Sequence, residues 1–132
     1  MSRNADWVDQ MFATIEAHTD LPFEWGVNDC CIFVARVIDA MTSSTIEADL
    51  SAEYHDEETA LAFIASHGSL EAAVSVFLGD PVPGMAMRGD AVLLDGGNGP
   101  ALGIMLGDVI AAMGPDGIVY MPRGAALMRW AV

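Results

Sequence analysis

The 132-residue chain predicts an α+β fold, with N-terminal helices packed on a C-terminal antiparallel five-stranded sheet. Apolar residues recur at helical spacing through the first half of the chain. After "DPVPGM" the texture changes to short apolar runs separated by Gly, Asn, Pro and Asp. Helices first and a meander of strands afterwards is the order of an α+β domain rather than of alternating βα units.

Each element has its own signal. Trp7, Val8, Met11, Phe12 and Ile15 line one face of a first helix within residues 5–19. "DLPFEWG" breaks it with Pro22 and Gly26, and Asn28 or Asp29 caps a second helix over 30–41. That helix is apolar on nearly every side, which predicts central burial. "TSSTIEADLSAEYHDEE" is polar and acidic and reads as a surface loop. "EETALAFIASHG" follows as a helix closed by Gly68, and "SLEAAVSVFLG" as another with Ser69 as N-cap and Gly79 as stop. Five strands then come from "DAVLLD", "ALGIML", "DVIAAM", "GIVYMP" and "ALMRWAV". "GPDG" at 114–117 is the clearest hairpin turn. With no repeat, low-complexity tract or linker, residues 1–132 are expected to form one domain.

Composition narrows the function classes. An apolar fraction of 53% suffices for one core. No apolar run approaches the ~18 residues of a membrane span, and the first twenty residues lack the pattern of a secretory signal, so synthesis in the cytoplasm is expected. Nineteen acidic residues face five arginines and no lysine, for a net charge of −14. Nucleic-acid binding is therefore not expected, since phosphates are held by clustered basic groups and these arginines are scattered from Arg3 to Arg129. A basic protein partner or a solvated acidic surface fits the charge better.

"WGVNDCCIFVARV" carries the candidate chemistry. A thiol in the first turn of a helix feels the positive end of the helix dipole and unpaired N–H groups, which lower its pKa and prepare a nucleophile. It still requires an imidazole as base and acid and a third group to orient that ring. Core packing is the competing role, because free cysteine is among the most buried residue types. Adjacent cysteines resist pairing with each other and lack metal-ligand spacing, and the three histidines are isolated in sequence. No metal is expected, and with no glycine-rich phosphate cradle no cofactor is either.

"NDCCIFVARV" resembles the "DCSG-apolar-V" segment of the NlpC/P60 cysteine peptidases, a papain-like α+β family that cleaves peptide bonds in bacterial cell walls. "RGDAVLLD" is similar to that family's "GD-apolar" strand, and "ALGIMLGDVIAAMG" to its "HVGIYLG" strand and the strand after it. The resemblance spans roughly residues 22–122. It implies that Cys30 holds the nucleophile's place and that Ala101 replaces the catalytic histidine. Ala111, Ala112 and Met113 stand where a polar orienting residue is expected. His18, His55 and His67 are the remaining imidazoles that a displaced site would have to use.

"PFEWGVNDCC", "RGDAVLL", "ALGIMLG" and "GPDG" together resemble a small phage-encoded branch of this type, whose genes lie among tail and baseplate genes. The resemblance implies a non-catalytic structural or assembly component of a phage, prophage or gene-transfer particle tail tip. Its partners would be tail-hub or baseplate proteins, its location the virion tail, and its arrangement several copies in a ring. The other implied reading is an active cell-wall cysteine peptidase or amidase with Cys30 as nucleophile. "RGD" at 88–90 reads as a turn before a strand rather than an integrin ligand. Trp25 is expected beneath the helix start and Trp130 against the sheet.

Overall fold

Five helices precede a five-stranded sheet in the structure, a computed structural model that describes residues 2–132. The helices are α1 Trp7–Ala17, α2 Cys30–Thr42, α3 Ile46–Ser51, α4 Glu57–His67 and α5 Leu70–Leu78. The strands are β1 Ala91–Asp95, β2 Pro100–Met105, β3 Val109–Gly114, β4 Gly117–Pro122 and β5 Ala126–Trp130. All neighbours are antiparallel, in the order β4-β3-β2-β1-β5. The α+β architecture and the strand count are those expected, and no described helix is long and apolar enough to cross a membrane alone.

α2 is the central element. Phe33, Val34, Val37, Ile38 and Met41 are buried together with Met11 and Ile15 of α1, Leu70 and Val74 of α5, and Ala91, Leu102, Ile104 and Trp130 of the sheet. Truncating one of these large side chains to Ala removes about 2–5 kcal/mol. The other flank of α2 packs Ile32 and Ala35 against Leu50, Tyr54 and Ala60. Trp25 packs on that second cluster, and the buried Trp130 donates its indole N–H to Ser75.

The sheet is buried on both faces. Val92, Leu94, Met105 and Ile110 point away from α2 and are covered by the segment that contains Ala86. Among the described residues no α-helix packs on this face; arginines fasten the segment, with Arg123 donating to the carbonyls of Ala86 and Gly107 and Arg129 to that of Pro83. The "RGD" stretch is a turn leading into β1, and Asp90 is buried there. It accepts from the Met87 N–H and from Arg129 at 2.9 Å, with Arg3 at 3.7 Å.

One expectation fails. The acidic stretch after α2 is not simply a surface loop, because it forms α3 and buries Leu50 and Tyr54. Thr45, at its N-cap, makes no side-chain cap bond. The cap is supplied from within α2, where the Asp39 carboxylate accepts the N–H groups of Ile46 and Glu47.

The "GPDG" turn is a hairpin, with Gly114 paired to Gly117. Gly117 has φ +134°, and a Cβ there would run into the carbonyl of Thr19. Backbone conformation and space both demand glycine. Gly117→Ala is therefore expected to cost about 2 kcal/mol or more, read as a lower denaturation midpoint. A stability equal to wild type would show that the hairpin is not held against the α1–α2 connection.

Candidate functional site

The site is built from the start of α2. Asp29 is the N-cap, and its carboxylate accepts from the N–H of Ile32 at 2.9 Å and of Gly26 at 3.0 Å. The Tyr54 hydroxyl adds a third donor, 2.9 Å from each carboxylate oxygen. Asp29 is 1% exposed, so these bonds replace its lost water. Burial, followed by the neighbouring acids Cys31 and Asp29, pushes the Tyr54 phenol far above its ordinary pKa and keeps it a donor.

Cys30 is the first residue of α2, as expected, and both thiols are free and half-buried. The Cys31 thiol donates to the Cys30 sulfur, which also accepts from the N–H groups of Leu102 and Cys31. These bonds hold the Cys30 thiol below its ordinary value, against burial and the Asp29 charge. Cys31, the donor of the pair, is driven well above by that bond, by burial and by the adjacent acids. Cys30 is thus the more readily ionised sulfur of the pair, and Cys31 the one that keeps its proton.

The acid–base partner is missing. His18 is buried, with Nδ1 2.8 Å from the Thr14 carbonyl and Nε2 3.0 Å from Arg36. A carbonyl only accepts and a guanidinium only donates, so Nδ1 carries the proton and Nε2 accepts. The same Arg36 donates to Asn28, Glu47 and the Val27 carbonyl, which fixes the loop before Asp29. His55 is exposed beside Asp56, and His67 meets the edge of Phe63. Among the described residues no imidazole bonds to either thiol, and no group of three or more His, Cys, Asp or Glu could hold a metal.

Cys30 and Ala101, joined in the sequence reading, are not brought together. β2 pairs Leu102 with Leu93 and Ala101 with Leu94. Leu102 packs toward α2, whereas Ala101 packs with Val92 and Leu94 on the opposite face. The β2 residues that share a cavity wall with Cys30 are Pro100 and Leu102. Even a histidine at 101 would project away from the thiol. Ala111 likewise lies in the core beneath α2, while Met113 packs at its margin. Sequence reasoning missed Tyr54 and the Arg36 network, and the only available signal was a lone tyrosine in an acidic stretch.

A family model described as a domain of unknown function, DUF6950, matches residues 2–132. The chain belongs to the DUF6950 family. No curated protein matches it. For this DUF6950 chain the geometry above therefore carries the chemical argument.

Two outcomes are expected. Alkylation by iodoacetamide should modify Cys30 before Cys31, with a rate that rises with pH and reaches half its plateau at a lower pH than a free cysteine does, because only the thiolate reacts. Peptide mapping that found Cys31 modified first would reverse the assignment. Asp29→Ala leaves the Tyr54 hydroxyl and two N–H groups without their acceptor, at a cost of about 3 kcal/mol in a denaturant titration. A loss below about 1 kcal/mol would show that water replaces the carboxylate.

Proposed function

We propose that the chain is a non-catalytic structural or assembly component of a phage, prophage or gene-transfer particle tail tip or baseplate, built on a degenerate NlpC/P60 fold. The observation that carries the non-catalytic part is the surroundings of Cys30. Its strand neighbours are Pro100 and Leu102, and every imidazole is engaged elsewhere or exposed. Amide cleavage requires a proton to be taken from the attacking group and given to the departing amine, and no imidazole stands there to do either, while the neighbouring Cys31 thiol holds its proton too tightly to give it up. The tail assignment rests on the resemblance of "PFEWGVNDCC", "RGDAVLL", "ALGIMLG" and "GPDG" to phage-encoded proteins.

Charge supports a protein partner. Four of the five arginines bond to carbonyls or carboxylates within the chain, and Arg88 lies over the Trp7 ring. They are committed to the fold, while the carboxylates behind the net charge of −14 lie outside the core, Asp29 and Asp90 excepted. Tail-hub or baseplate proteins with basic faces would complement it, several copies could form a ring in the virion tail, and nucleic acid would be repelled. The second reading, a cell-wall peptidase or amidase, draws on the lowered Cys30 thiol at a helix N-terminus.

Cys30→Ala is expected to fold with a loss of at most about 1–2 kcal/mol and to leave the yield of infectious or transfer-competent particles unchanged. Purified wild type should release no peptides from cell-wall fragments by mass spectrometry. Ala101→His should be equally inactive, since position 101 is on the far face of the sheet. Cys30-dependent release by the wild type would promote the peptidase reading and end this one.

A further inference from the structure

α2, α4, α5 and β2 enclose a cavity of about 80 Å³. Val34, Phe63, Val74, Phe77 and Leu102 contribute walls that are almost wholly apolar. The polar groups on it are the two thiols and Tyr54, whose hydroxyl is already taken by Asp29. Such walls offer water few partners, and at about 30 Å³ apiece a cavity of this size holds roughly three groups the size of a water or a methylene. An aliphatic chain of that length suits it. The thiols are half-buried rather than sealed in, and Pro100, on the same wall, is exposed. Cys30 thus stands where an apolar cavity meets solvent.

What surrounds the sulfur decides what it can attack. An amine leaving group must be protonated as it departs, and the S–H beside Cys30, that of Cys31, is held too tightly to serve as that acid. A thiolate leaves unassisted, so a thioester needs only a nucleophilic sulfur. We propose that Cys30 takes up a short acyl chain, of roughly four carbons, from an acyl thioester and seats it in the cavity between α2 and α5. The Cys30 sulfur forms a bond to the acyl carbonyl carbon. The bond from that carbon to the donor's sulfur breaks, and its electron pair leaves as the donor thiolate. The proton that Cys30 gave up to water ends on that thiolate. Nothing is oxidised or reduced, and one thioester replaces another. With no base to activate water, the acyl group stays on Cys30, which makes the chain a stoichiometric acceptor rather than a hydrolase. This inference goes beyond the proposed function and does not depend on a tail location.

The full chain is incubated with acetyl, butanoyl and palmitoyl thioesters of N-acetylcysteamine and followed by intact mass and peptide mapping. One hydroxylamine-labile butanoyl group on Cys30 is expected. Each methylene that enters the cavity favours the bound chain about fourfold, so butanoyl transfer should exceed acetyl transfer by about tenfold or more. Palmitoyl, too long for the cavity, should be slower than butanoyl. Cys30→Ser should abolish the adduct; the chain-length ratio on the wild type tests the cavity even where that variant folds poorly. The proposal is overturned by an absent adduct, by an adduct mapped to Cys31, or by equal acetyl and butanoyl rates.

Discussion

Everything near the candidate site depends on one buried carboxylate. Asp29 closes the first turn of α2, holds the Gly26 turn and receives Tyr54 from the connection between α3 and α4. Three separate segments are thus referred to a single group with almost no contact with water. Gly26 serves the same join, since it has φ +79° and a Cβ there would collide with the His55 carbonyl. Arg36 repeats the device about two turns further along, tying α1 through His18 and α3 through Glu47 to the loop before Asp29. Cys30 is positioned by this frame together with its packing against the main core.

The electrostatics of the thiol pair follow from range. Asp29 carries charge beside Cys30 and opposes its ionisation, and burial opposes it too. Three hydrogen bonds aimed at the sulfur, from Cys31 and from the backbone of Leu102 and Cys31, outweigh both. Directed donors at contact distance stabilise a thiolate more than a neighbouring carboxylate, itself occupied by three donors, destabilises it. The adjacent cysteines divide the work, because a single shared proton cannot leave Cys31 without removing the bond that stabilises Cys30.

Much of the architecture was legible because it is written locally. α2 is visible from a capping acid and an apolar body, α5 from Ser69 and Gly79, and the β3–β4 hairpin from "GPDG". α3 was hidden because its cap, Asp39, lies in another helix and its anchors are only Ile46, Leu50 and Tyr54 in an acidic stretch. The face on which Ala101 points was hidden for a different reason. A half-buried sheet advertises its inner face by alternating apolar with polar residues. Here Leu102 and Ile104 face α2 while Ala101 and Met105 face a second apolar cluster, so alternation gives no parity. Motif order located the strand, and only packing assigned its faces.

The retained thiol and the missing imidazole are consistent once leaving groups are considered. A nucleophile, an acid and an orienting group act as a unit, and loss of the acid removes reactions whose leaving group is poor while sparing those whose leaving group departs unaided. The wall beside Cys30 is apolar where a hydrolase would need a proton donor, and the same wall encloses the cavity. A substitution that put a polar ring on that wall would have to displace Leu102, whose side chain packs in the main core and whose N–H bonds the Cys30 sulfur. Placing a proton donor beside Cys30 would therefore disturb the packing of α2 on β2. The apolar wall that keeps α2 in place is also the wall that leaves the thiol without an imidazole.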